Sequence, residues 1–372
     1  MTRPSDIIVV GAGIVGCAVA HELASRGASV EIVDERPVGM GATQASAGVL
    51  APYIEAREGS ALLDLTVRSL GLFDAFIERV SADSAVPVSY RRTGTLDIAV
   101  DDAEMQALRA TAGVLARLDV TALLLDAQAA RSEEPQLGDH AVGGLLIESH
   151  GFVAAGELTR ALAAAARRHG AQLIEGSRVR RITRLHGDMV VETDRGSLTS
   201  NAVVLAAGSW SGEIGIDGVS ATVPVRPVRG QLLHLAWTGT PFRRVTWSGR
   251  CYLVPWQDGT LLVGATVEEA GFDERTTVAG VRELLDAVCA LVPRARTAGF
   301  AGARVGLRPA TTDDLPVIGP SSVMPNLMYA TGHYRNGVLL APLTAQLVAD
   351  AMLENRIDPL LEVVRPSRFG DL

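Results

Sequence analysis

The residues with the clearest chemical purpose are three glycines and an acid. Gly11-Ala12-Gly13-Ile14-Val15-Gly16 follows the apolar run Ile7 to Val10, and the chain then reads as a helix to Arg26 before Val30 to Val33 resume a strand closed by Asp34. A GxGxxG turn that opens a helix inside a βαβ unit suits a dinucleotide. Gly11 permits the tight turn, Gly13 lets backbone N–H groups approach a pyrophosphate, and Gly16 lets the helix lie close on the strands. The helix N-terminus, led by Ile14 and Val15, offers unpaired N–H groups and a partial positive charge to phosphate. Asp34 is placed to take the ribose hydroxyls of an adenine dinucleotide, with Glu35 as the alternative acid. The spacing continues through Ala20, Leu23 and Gly27, which supply a small contact, an apolar contact and a helix stop.

Two further stretches have a composition suited to a large flat ligand. From Gly39 to Pro52 small residues dominate and no period is visible, so backbone is open to contact around Thr43, Ser46, Ala47, Gly48 and Val49. A second glycine turn, Ala206-Ala207-Gly208-Ser209-Trp210, follows the apolar strand Val203 to Leu205. In a doubly wound sheet such turns gather at the crevice where ligands bind.

The elements that must position these loops follow from periodicity. Helices are expected over 60–80, over 101–118 behind an Asp cap, over 156–169, from Val278 to Leu291 and from Val338 to Leu353. Strands are expected over 89–100 with a break at Thr93-Gly94, over 142–148, at Ala171 to Ile174, Val179 to Leu185, Met189 to Thr193, Val203 to Ala206, Ala303 to Leu307 and Leu327 to Ala330. A helix feeding strands near Val203 returns the chain to its first sheet. Between Ala221 and Val267 the segments become longer and β-rich, which reads as a separate, mixed or largely antiparallel sheet. The fold class is therefore α/β plus α+β: a Rossmann-like nucleotide-binding domain made of 1–87, 150–217 and 318–372, and a substrate domain made of 88–149 and 218–317.

Composition narrows the function. The chain has 372 residues, 48% hydrophobic and 20% charged, enough for two or three packed domains. A net charge of −8 argues against nucleic acid or an anionic membrane surface, because phosphate affinity needs clustered cations. All 34 basic residues are arginine, which excludes a lysine Schiff base and a lysine that activates oxygen. Cys17, Cys251 and Cys289 are an odd number without a CxxC, so neither a disulfide framework nor a dithiol motif is indicated and reduced, cytoplasmic thiols are expected. No targeting signal and no metal site is read from the chain. The apolar stretch Val338 to Leu353 contains Pro342, Gln346 and Asp350 and falls short of a membrane span.

Several segments add to this in order along the chain: Arg226-Pro227-Val228-Arg229-Gly230-Gln231, Arg250-Cys251-Tyr252-Leu253-Val254-Pro255, Val263-Gly264-Ala265-Thr266, Gly306-Leu307-Arg308-Pro309 and Gly332-His333-Tyr334-Arg335-Asn336-Gly337. With the nucleotide loop they resemble the glycine oxidase group of the D-amino-acid oxidase and sarcosine oxidase family of flavoproteins, over essentially the whole chain. The resemblance implies a non-covalent FAD across the first domain, with its flavin ring at the boundary with the substrate domain. It implies FAD contacts from Gly11, Gly13, Ile14, Val15, Gly16, Asp34, Glu35, Thr43, Ser46, Ala47, Gly48, Val49, Val179, Ala207, Gly208, Trp210, Gly230, Arg308, His333, Arg335, Asn336, Gly337, Val338 and Leu339. It also implies a substrate site at Tyr252, Arg308 and Arg335. Arg308 would grip a carboxylate through two parallel hydrogen bonds, with Tyr252 as hydroxyl partner.

The implied reaction is hydride transfer from the α-carbon of glycine or another small amine to flavin N5, giving an imine and, with oxygen, hydrogen peroxide. No catalytic base is required, and His333 is read as a structural loop histidine. A dehydrogenase serving a quinone or carrier and a non-catalytic FAD subunit are the alternatives. Thiamine synthesis is the pathway implied, and assembly into a homo-oligomer is allowed. The chain departs from the family pattern at Trp256, where a basic residue is frequent, and at Val49, where methionine is common; both positions are read as close to the pocket mouth.

Overall fold

The computed structural model describes residues 5–54, 59–219, 222–256 and 258–372. Its first sheet has five parallel strands in the spatial order Gln172–Glu175, Val30–Asp34, Ser5–Val10, Gly196–Leu205 and Leu327–Thr331. Val179–Leu185 and Asp188–Thr193 extend it as an antiparallel pair beside Gly196–Leu205. Alternation along the first strand divides two cores, as the two-residue period of a strand requires. Ile7 and Val9 face a layer of helices, Ile14–Ser25, Ala61–Ser84, Ala155–Arg168 and Gly337–Leu353. Ile8 and Val10 face Ile182, Met189 and Val191 on the opposite side. The nucleotide-loop helix is buried almost all round, which explains why Ala18, Ala20 and Ala24 stand where larger side chains would hold its neighbours away.

The second sheet has eight strands and is antiparallel except where Val245–Ser248 runs parallel to Thr95–Ala99. Its strands come from two stretches, 95–147 and 226–310. Helix Val278–Leu291 covers it, started by Thr277, whose hydroxyl accepts from Gly280 N at 3.2 Å. Helix Asp102–Arg117 is capped by Asp101 through Glu104 N at 2.8 Å. These caps satisfy donors that helix starts leave open. A ribbon of Val49–Leu50, Gly151–Val153 and Tyr90–Arg91 forms a third, small sheet.

The differences from expectation have physical causes. Gly196–Leu205 starts seven residues before the expected Val203 to Ala206 because its first half pairs antiparallel with Asp188–Thr193 while its end runs parallel to Leu327–Thr331. Gly299–Ala310 is longer than Ala303 to Leu307 because it pairs along most of Arg226–Ala236. Strand Ala122–Asp126 and helix Ala127–Glu133 were not anticipated: the strand lies at the sheet edge with Leu123 and Leu124 exposed, and the helix is too short to show a period. Ala221, where the β-rich block was expected to open, lies outside the described residues. Among the described residues no helix is long and apolar enough to cross a membrane.

The last long helix carries Pro342, which lacks an N–H and leaves the Val338 carbonyl without its usual donor. Next to that break, the Ser69 hydroxyl donates to Leu339 O at 2.6 Å and accepts from Leu343 N at 3.4 Å, in a buried setting. Ser69 thus fastens the long helix Ala61–Ser84 to the helix whose N-terminus opens on the site. Ser69→Ala should lower stability by about 1–3 kcal/mol, the cost of orphaning a buried polar group. Urea unfolding measures it, and a loss under about 0.5 kcal/mol would show that the bridge contributes little.

Candidate functional site

The nucleotide loop is shaped by backbone approach. Gly11 has φ +112°, its N–H donates to Val33 O at 2.8 Å, and a Cβ there would lie 2.4 Å from Ala206 O. Ala206 N in turn donates to Val10 O at 2.8 Å, which holds the second glycine turn against the first. A Cβ on Gly16 would lie 1.9 Å from Gly11 O, so only glycine lets the helix come this near. At Gly13 the nearest neighbour of such a Cβ is Thr43 Oγ1 at 3.7 Å, which leaves the loop open on that side. The helix start has no side-chain cap of its own at Gly13, and Ile14 N donates to Thr43 Oγ1 at 3.2 Å.

Asp34 does more for the loop than its placement at a strand end implied. Its carboxylate accepts from Ala12 N at 2.6 Å and from Arg36 N at 2.8 Å, tying the glycine turn to the second strand. Burial raises its pKa, and these two N–H groups together with Arg36 oppose that rise. Glu35 is half exposed and faces Arg178 at 3.7 Å.

One continuous cavity runs from this loop to the second sheet. Of the residues proposed from sequence for cofactor and substrate, all line it except Gly16 and Gly230. Gly16 is a packing glycine under the loop. Gly230 stands behind the Arg308 guanidinium, where a Cβ would come within 2.3 Å of it, and so makes room for that side chain without forming the wall. Val49 lines the cavity, whereas Trp256 does not and packs edge-on against Phe152 with ring centroids 5.1 Å apart.

The charged part of the cavity is built by the second sheet. Arg308 lies near the end of strand Gly299–Ala310, and its Nη1 donates to Thr266 O at 3.0 Å and Arg229 O at 3.4 Å. Tyr252 begins strand Tyr252–Pro255 and stacks on Trp247 with centroids 4.7 Å apart. A Cβ on the facing Gly264 would lie 2.2 Å from the Tyr252 ring. Burial raises the Tyr252 pKa, while the charges of Arg308 and Arg335 pull it back. The hydroxyl is therefore protonated at neutral pH and sits in the field of two guanidinium groups.

His333 is buried, pairs with Thr344 Oγ1 at 3.0 Å and has its pKa pushed down to about 3 by desolvation. The turn His333 to Asn336, with Tyr334 at φ +45° and its N–H on Pro309 O at 2.8 Å, delivers Gly337–Leu353 with its N-terminus on the cavity. Asn336 provides no side-chain cap to that helix. None of the three cysteines lines the cavity. Cys17 is buried and donates to Ala12 O at 3.5 Å, and burial raises its pKa, as a packing thiol requires.

Sequence reasoning missed several lining residues. Arg36 lies 4.3 Å over the Trp210 ring and is held by Glu274 at 2.7 and 2.9 Å. Trp247 was visible only as an aromatic in a strand paired with that of Tyr252. Ser60, Leu63 and Thr66 reach the cavity from the start of Ala61–Ser84, and helical periodicity alone does not report which residues of a helix start meet a ligand cavity.

This chain matches the family model described as DAO, FAD dependent oxidoreductase, over residues 6–351. It is 33% identical to a glycine oxidase of Geobacillus kaustophilus (strain HTA426) over 353 residues, covering 94% of this chain and 93% of that protein. A bifunctional protein ThiO/ThiG of Nostoc sp. is 35% identical over 373 residues, 99% of this chain but 55% of that protein. The chain thus spans about half the length of the ThiO/ThiG relatives it matches. In three dimensions it is similar to a crystal structure of glycine oxidase from Geobacillus kaustophilus, with a TM-score of 0.92, 32% identity and 96% coverage of both chains.

The burial of His333 has a measurable outcome. Unfolded histidine takes up a proton near pH 6.5, whereas His333 resists until about pH 3, so acidification between those values favours the unfolded chain. Nitrogen NMR of the imidazole should show His333 neutral at pH 5. A protonated His333 at that pH would contradict its place in the loop.

Proposed function

This chain belongs to the family of FAD-dependent oxidoreductases, and from that membership we propose that it oxidises glycine or another small amine or amino acid with oxygen as electron acceptor. The observation that carries the proposal is that the nucleotide loop and the Arg308–Tyr252 pair line the same cavity. The residues fit FAD: Gly13 presents open backbone at a helix start whose N-cap glycine offers no side-chain cap, and small residues from Gly41 to Gly48 form a wall. We assign the pyrophosphate to that helix start, the adenosine ribose to Asp34 or Glu35, and the flavin ring to the part of the cavity beside Arg308. The absence of cysteine from the cavity wall removes a thioether link and supports a cofactor held without a covalent bond.

Bound FAD supplies the redox chemistry by accepting a hydride from the substrate α-carbon. Arg308 holds the substrate carboxylate, its own position set by the Thr266 and Arg229 carbonyls. Tyr252 donates its hydroxyl to the same carboxylate, and Arg335 adds positive charge beside it. These contacts fix the α-carbon toward the ring, which lowers the barrier through orientation. The N-terminus of Gly337–Leu353 opens on the cavity, and its partial positive charge would favour negative charge on a reduced flavin held there. A neutral amine needs no general base, in keeping with a buried, neutral His333. The imine released hydrolyses to a keto acid and ammonia, and oxygen leaves as hydrogen peroxide. Likeness to a ThiO/ThiG protein supports a place in thiamine synthesis, and unpaired thiols support a cytoplasmic setting.

Arg308→Ala tests the substrate assignment. Removing one partner of a buried charged pair costs about 3–5 kcal/mol, so kcat/KM for glycine should fall by roughly two to four orders of magnitude. The protein should stay yellow. Unchanged kcat/KM would remove Arg308 from the site. In a panel of small amino acids under air, peroxide should appear in a one-to-one ratio with substrate lost; turnover only with an added quinone would identify a dehydrogenase instead.

A further inference from the structure

Away from the cavity, three side chains from three helices converge on one point. His21 lies on Ile14–Ser25, Asp83 near the end of Ala61–Ser84, and His169 caps Ala155–Arg168. His21 Nε2 is 2.7 Å from Asp83 Oδ2, His169 Nε2 is 3.1 Å from the same oxygen, and the ligand atoms of all three lie within 4.8 Å of one another. None of the three lines the cavity.

We propose that His21, Asp83 and His169 form a binding site for a divalent cation of the zinc type, which clamps the three helices behind the nucleotide-binding sheet. Two imidazoles and one carboxylate are a donor set suited to Zn²⁺. With bonds of about 2.0–2.2 Å, tetrahedral ligands stand roughly 3.4 Å apart. The two histidine–Asp83 separations of 2.7 and 3.1 Å fall short of that value by less than about 1 Å, so small side-chain rotations admit the ion. His21 is fully buried, while the side chains of Asp83 and His169 are 25% and 34% exposed, which leaves an entry path and room for water as fourth ligand.

Without a metal, His21 Nε2 donates to Asp83 Oδ2 at 2.7 Å, and a cation would take the place of that proton on the Nε2 lone pair; among the described residues the buried Nδ1 of His21 has no hydrogen-bond partner and so is open to carry the ring's proton. The sequence hides the site because its three ligands are separated by 62 and 86 residues.

Calorimetric titration of chelator-treated holoenzyme with zinc sulfate tests the proposal. One equivalent should bind per chain and raise the thermal midpoint. His169→Ala and Asp83→Asn, both at partly exposed positions, should each weaken binding at least as much as loss of an outer-shell partner does, about 10–100-fold. His140→Ala, on an exposed loop, should not. Crystals grown with zinc should show an anomalous peak between His21, Asp83 and His169. Absence of stoichiometric binding, or equal affinity in both ligand variants and the parent, would overturn the site and leave an Asp-bridged histidine pair.

Discussion

The structure depends on how closely its first glycine turn approaches the neighbouring strand ends. Gly11 sits with its N–H on the Val33 carbonyl and its α-carbon against Ala206 O, and Gly16 lets the helix press on Gly11 O. No side chain larger than hydrogen fits at either point. That contact brings the two loops of the first sheet together, and Asp34 locks it through Ala12 N. The helix start, capped only at Ile14 N by Thr43 Oγ1, is left open at Gly13, the arrangement in which helix N–H groups can meet an anion without a cationic side chain.

A second pair of glycines governs the other part of the cavity. Gly230 and Gly264 make room for the Arg308 guanidinium and the Tyr252 ring. The arginine is then held by the Thr266 and Arg229 carbonyls and the tyrosine by stacking on Trp247, so both polar groups are oriented before a ligand arrives. In a chain without lysine, fixed guanidinium groups and helix ends supply all the strong positive fields. Pre-oriented donors cost little reorganisation, which is why such groups assist catalysis more than mobile ones.

Much of this was legible because the signals are local. The nucleotide loop combines a strand period, glycine spacing and a helix period, and Asp101 announces its helix through cap chemistry. The packing role of Gly16 was legible from the loop spacing, whereas that of Gly230 was not, since the Arg308 side chain it makes room for lies far along the chain. Strand Ala122–Asp126 was missed because an edge strand with exposed leucines shows no alternation. Arg36 over Trp210 and Ser69 on Leu339 join segments 174 and 270 positions apart, and no spacing rule reports such pairs.

The central claim is that a single cavity joins bound FAD to a carboxylate site able to reduce it. Anaerobic mixing of the holoenzyme with glycine in a stopped-flow spectrometer tests this most directly. The account predicts that the visible absorbance of the flavin bleaches at a rate that saturates with glycine. Flavin that stays oxidised with glycine and with every other small amino acid or amine tried would contradict it.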